Sequence, residues 1–225
     1  MSEARLFCEQ VVAILWKDIR YELRSKQTWI GMGLFALLVF VIFNFAFDLR
    51  VDNRAAVVPG ALWVAFVFAS LLGLGRTIAA ERERGSLDRL LLCPVSRKAI
   101  YLAKLLGNML FIGVVEIIAL PIFAALFNVP LFTGALLPIV FLGTLGVATI
   151  GTLFSAMSAA TQARDLLLPL LVFPLIVPVV IGAVRATGAL LVVAANEPPW
   201  LGLMAAFDVI FLSISLLTFE YVIEE

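Results

Sequence analysis

The chain has 225 residues, 63% of them hydrophobic and 14% charged, with sixteen Lys and Arg against sixteen Asp and Glu; its mean hydropathy is +1.11. Soluble domains carry about 25% charged residues, so roughly half that content argues for lipid as the solvent. The lack of any histidine removes the usual zinc or haem ligand and general base, which sets aside most metalloenzyme and triad chemistry.

Residues 1–27 mix acids and bases throughout and have no uninterrupted apolar core, so they do not read as a signal peptide. Cys8, Val12, Leu15, Trp16, Ile19 and Leu23 recur at helical spacing, with Glu9, Lys17, Arg20 and Arg24 on other faces. This pattern predicts an amphipathic helix lying at the membrane interface, with Trp16 and Tyr21 at headgroup level. A helix packed on a soluble partner is the competing reading, compatible with the first if the two faces divide the roles.

Six apolar runs follow, near 28–47, 57–75, 105–127, 133–157, 166–184 and 202–219, each long enough to span hydrocarbon about 30 Å thick. They predict an all-α membrane protein with one membrane domain over residues 1–225. Residues 1–27, 76–104, 158–165 and the C-terminal tail hold 5, 7, 1 and 0 Lys/Arg. The alternate connections 48–56, 128–132 and 185–201 hold 2, 0 and 1. Thirteen against three places both termini in the cytosol. Arg76 closes the second span and reads as a snorkelling residue or a partner for Glu81 or Glu83.

The loop from Arg76 to Lys104 is a jointed element. Gly85 breaks the helix that carries Glu81 and Glu83, and Ser86 can cap a new one with Asp88 in its first turn. Leu87, Leu90 and Leu91 share a side of the short helix Leu87–Leu92, Pro94 ends it, and Ser96 can cap the helix entering the third span. Consecutive leucines have little reason to face water, so the spacing favours an apolar knob that docks in a groove of a soluble protein over a plain solvated hairpin. Cys8 and Cys93 fall in segments placed in the cytosol, where reduced thiols are expected. Cys93-Pro94 admits a haem-responsive reading; a small apolar residue before a helix-ending proline is the plainer one.

Glu116 sits at the middle of the third span, where a charge costs about 2.5–3.5 kcal/mol on insertion scales. It must be protonated, bonded inside the bundle, or open to a cavity. A structural bond to Asn44, Thr144 or Thr149 stands beside a role in gating or in substrate or partner contact. In the fourth span Thr144, Ala148, Thr152, Ala156 and Ala160 form a small-residue stripe that admits a close neighbour. Pro169, Pro174 and Pro178 each remove a backbone donor from the fifth span and predict a kink or break there. Residues 186–195 are too few to cross the membrane and predict a short external or re-entrant helix before the last span. Asp208, about two turns into that span, is placed near the outer interface.

No GxxxxGK[ST] loop, H-E-x-x-H, GxSxG elbow or nicotinamide fingerprint occurs. The chain reads as a non-enzyme that binds no nucleotide itself, with no metal site, no catalytic residue and no nucleic-acid partner.

The run Glu81 to Pro94, E-x-E-x-G-S-L-x-x-L-L-x-x-P, followed by Lys104, resembles the coupling-helix region of six-span ABC-2-type exporter permeases. More narrowly, the chain is similar to the CcmB family, the haem-exporter permeases of cytochrome c maturation. That similarity rests on Pro59-Gly60-Ala61-Leu62-Trp63-Val64, Ser70-Leu71-Leu72-Gly73-Leu74, Gly85-Ser86-Leu87, Leu102-Ala103-Lys104 and Phe173-Pro174-Leu175-Ile176-Val177-Pro178. Glu116 departs from members with an apolar residue there, and no role is carried over to it. The resemblance implies a permease of the bacterial inner membrane, paired with a second copy and with a cytosolic ATPase (CcmA) that docks at Glu81, Glu83, Gly85, Ser86, Leu87, Leu90, Leu91 and Pro94. It further implies a haem-handling protein (CcmC), a small membrane protein (CcmD) and a haem chaperone (CcmE). Haem is then the cargo of the complex, and ATP hydrolysis drives release of the loaded chaperone. An ABC-2 permease for a lipid, drug or glycan, and a membrane anchor that only recruits the ATPase, are the alternative readings.

Overall fold

A backbone inside lipid must satisfy its own N–H and C=O groups, and the described residues do so with helices alone. The structure, a computed structural model, describes residues 3–24, 26–46, 54–83, 90, 92–129, 134–158, 164–191 and 199–222. Seven helices run through them: α1 (Glu3–Arg24), α2 (Lys26–Ala46), α3 (Arg54–Glu83), α4 (Arg97–Phe127), α5 (Leu136–Ser158), α6 (Arg164–Leu191) and α7 (Trp200–Val222). Helices α2 to α7 each contain a stretch long and apolar enough to cross a membrane, as the hydropathy predicts.

The 31 residues of α4 make it about 46 Å long, well beyond the hydrocarbon, because the helix that opens after Ser96 runs on into the third span, as the sequence predicts. Other features differ from the sequence expectation, for identifiable reasons. Helix α6 runs unbroken through Pro169, Pro174 and Pro178. Proline's missing N–H forfeits a bond without forbidding helix where neighbouring helices hold it in place. The short helix expected over 186–195 is not separate: residues 186–191 are the last turns of α6, and 192–198 lie outside the described residues. Nothing in Ala186–Leu191 stops a helix, and Ala186 and Thr187 are buried against neighbours. After α4, Asn128 adopts the left-handed conformation (φ 49°) and donates its N–H to the Ala124 carbonyl, an αL cap that turns the chain towards α5.

Helices α3 and α5 are the most enclosed spans; α3 packs on α2, α6, α5 and α4, and α5 packs on α6, α7, α4 and α3. Apolar lipid gives no hydrophobic drive between helices, so close approach and interhelical hydrogen bonds must hold them. The Trp63 ring lies on Gly143, where no side chain could stand, and its indole N–H donates to Thr187 Oγ1 at 3.0 Å. The stripe expected on α5 faces inward: Thr144, Ala148, Thr152 and Ala156 are all buried, while Ala160 lies outside the described residues.

Helix α1 has two apolar faces. Val11 and Ile14 turn into the bundle with Asp18 and Glu22, whereas Val12, Trp16 and Leu23 are exposed, and Arg20 stacks over the Trp16 ring at 5.2 Å. Its inner face lies along α4, where Gly107 lets the Leu15 side chain come close.

Candidate functional site

One end of the bundle joins α1, the segment before α4, and the first turns of α4 into a single unit. Leu90 is helical, and the turn that follows is closed by Cys93 N–H donating to the Leu90 carbonyl at 3.2 Å. Gln10 of α1 grips the far side of this turn twice. Its Nε2 donates to the Pro94 carbonyl at 3.3 Å, and its Oε1 accepts the Ser96 N–H at 3.3 Å. Two turns further along α1, Asp18 Oδ2 accepts from Lys104 Nζ at 2.8 Å. The Lys104 and Asp18 side chains are only 1% and 5% exposed, and Lys17 reaches the other carboxylate oxygen at 3.2 Å. A buried pair of this kind holds its partners at fixed register, since losing either leaves a charge out of water. Residues 94–96 are thereby tied to α1 where α1 is itself tied to α4.

The sequence-predicted docking residues fall around this unit. Glu81 and Glu83 lie in the last turn of α3, where the backbone alone is described; Gly85, Ser86, Leu87 and Leu91 lie outside the described residues. Leu90 is half-buried and packs against the chain's own core, Pro94 is exposed, and Leu92 stands out at 87% exposure. Neither Gln10 nor Asp18 was singled out by sequence reasoning. Asp18 carried a usable signal, since it shares a helical face with Val11 and Ile14, where a lone acid calls for a buried partner.

A second set of polar groups lies inside the spans. Glu116 is buried and accepts from Thr144 Oγ1 at 2.6 Å, one of the three partners the sequence offered. Asn44 instead donates to the Leu126 carbonyl at 2.7 Å, and Thr149 receives the Tyr101 hydroxyl on its carbonyl at 3.0 Å. Asn108 donates to Thr152 Oγ1 at 2.8 Å, so two rungs of the small-residue stripe bond across to α4. Asp208, about two turns into α7, is 2% exposed and turned into the bundle. No group of His, Cys, Asp or Glu able to hold a metal occurs among the described residues. Cys8 and Cys93 are exposed and take part in no disulfide.

Six apolar spans, several of them joined by hydrogen bonds between buried polar side chains, define an all-helical, multi-pass membrane protein of the permease kind. Residues 9–224 match the family described as CcmB protein, and the chain belongs to that family. It is 33% identical over 171 residues to Heme exporter protein B of Rhodobacter capsulatus, which covers 75% of this chain and 78% of that one. The same-named protein of Bradyrhizobium diazoefficiens is 33% identical over 183 residues, covering 80% and 82%. That of Pseudomonas aeruginosa is 31% identical over 178 residues, covering 77% and 80%.

Proposed function

We propose that this chain is the permease component of an ATP-driven exporter in the bacterial inner membrane, with haem as the cargo of the complex and ATP bound by a separate soluble protein. The name shared by its relatives, Heme exporter protein B, supports the cargo. The α1 end faces the cytosol, in keeping with the thirteen of sixteen basic residues on that side. The observation that carries the coupling is the double grip of Gln10 on residues 94–96 beside the buried Asp18–Lys104 pair. A CcmA-like ATPase docks on the loop from Glu81 to Pro94, and its stroke reaches α4 through this unit. Two copies of the chain assemble with two of the ATPase, next to CcmC-like, CcmD-like and CcmE-like proteins, and hydrolysis releases the haem-loaded chaperone.

Leu92→Asp tests the docking without disturbing the core, because Leu92 is exposed where Leu90 is not. The variant should insert normally, lose the co-purifying ATPase and lower the yield of c-type cytochromes. Unchanged ATPase recovery and unchanged cytochrome yield would sink the docking. Deletion of the chain with cytochrome c maturation intact would remove haem as the cargo.

A further inference from the structure

The seam between α5 and α7 holds polar groups that the protein leaves unanswered. Four buried side-chain atoms among the described residues have no hydrogen-bond partner: both carboxyl oxygens of Asp208, Thr149 Oγ1 and Ser215 Oγ. All four lie on these two helices. Gly146 of α5 makes room for the acid, for a Cβ there would stand 2.7 Å from Asp208 Oδ1. Thr149 follows one turn along α5, and Ser215 two turns along α7 on the face of Asp208. Both lie beside the Tyr101 hydroxyl, which gives its own proton to the Thr149 carbonyl and whose oxygen can take one of theirs, so the unanswered demand is greatest at the two oxygens of Asp208.

Among the described residues no charge answers Asp208. Helix α5 has no titratable side chain among its described residues, and Arg185 of α6 is exposed. On α4, Lys104 is paired with Asp18, and Glu116 accepts from Thr144. The carboxylate has about four acceptor sites and the acid adds a donor, so either form asks for hydrogen bonds that the apolar neighbour Val179 cannot give. Polar atoms enclosed at membrane depth are tolerated where they line a water-filled space. Asp208 and Ser215 are two turns, about 10 Å, apart along α7, so water in the seam would meet polar partners at each end.

We infer that the α5–α7 seam is an internal water site, with Asp208 as its innermost ligand and the Thr149, Ser215 and Tyr101 hydroxyls leading from it towards the α1 end. Such a seam differs in kind from the dry contact of Trp63 on Gly143. Exchangeable waters let α7 shift against α5, whereas interlocked rings do not.

X-ray radiolysis of the full chain in lipid nanodiscs tests this, since hydroxyl radicals formed on bound water oxidise the nearest side chains. Phe219, 5.1 Å from the Tyr101 ring, is compared with Phe40 and Phe123; all three are at most 1% exposed. Phe219 should oxidise about tenfold faster than the other two, because of the three it lies one turn from Ser215 and against the Tyr101 ring. Asp208→Leu, and the milder Gly146→Ala, should bring its rate down to theirs. Phe219 as inert as Phe40 and Phe123 would overturn the inference, as would labelling that persists unchanged in a folded variant. If neither variant folds, the comparison within the unaltered chain decides.

Discussion

Cutting the buried link between α1 and α4 is the most direct test of the proposed transmission. At 2.8 Å and an effective dielectric near 20, the Lys104–Asp18 attraction is about 6 kcal/mol before desolvation is counted. Desolvation offsets much of this, and removing one partner of such a pair costs about 3–5 kcal/mol. The two single variants are not equivalent. Lys104→Met leaves Asp18 beside Lys17, whose side chain is 46% exposed and whose contact is worth about 1 kcal/mol or less. Asp18→Leu removes the carboxylate from between two amines, and should lie at the upper end of the range. The double variant Asp18→Leu with Lys104→Met removes both charges together and should recover to within about 1–2 kcal/mol of the parent. Unfolding in mixed micelles titrated with SDS would read all four proteins as a double-mutant cycle. A coupling of about 2–3 kcal/mol is expected; effects that add to within about 0.5 kcal/mol would refute the buried-pair reasoning.

Gln10→Ala removes two hydrogen bonds to exposed backbone, worth about 1–2 kcal/mol together, and should speed amide exchange and tryptic cleavage around 92–97 with little change in global stability. Unaltered protection there would mean that Gln10 does not hold the loop. Glu116→Gln keeps an acceptor for the Thr144 hydroxyl and should fold normally, whereas Glu116→Leu strands that hydroxyl and should cost about 1–3 kcal/mol in the same SDS titration. Loss of function in well-expressed Glu116→Gln would instead assign the carboxyl a role beyond its bond. Gly143→Ala forces the Trp63 ring away and should destabilise by about 1–3 kcal/mol, with partial rescue by Trp63→Phe. No loss in the single variant would show the α3–α5 contact to be looser than it stands.

The span count was legible because each segment's transfer into lipid is a property of that segment alone. The stripe on α5 was legible because small residues at every fourth position can face only one way. The continuation of α6 to Leu191 was not, since length arguments assume that a helix stops where the hydrocarbon does. The burial of Asp208 was not legible for a related reason. Distance from a helix end says nothing about which side of the helix meets a neighbour, and the face with Met204 and Ser215 turns inward.

From residue order alone came the lipid solvent, the six spans and the charge bias between the two sides, all of them sums over neighbouring residues. The tertiary structure decided the pairings. Lys104 meets Asp18 across 86 residues, Gln10 meets Pro94 across 84, and Glu116 meets Thr144 rather than Asn44 or Thr149. Each choice depends on how a helix is rotated about its axis, and that rotation is set by packing contacts such as Trp63 on Gly143 and Leu15 on Gly107. Local composition places a helix in the membrane; only its neighbours determine what each face must answer.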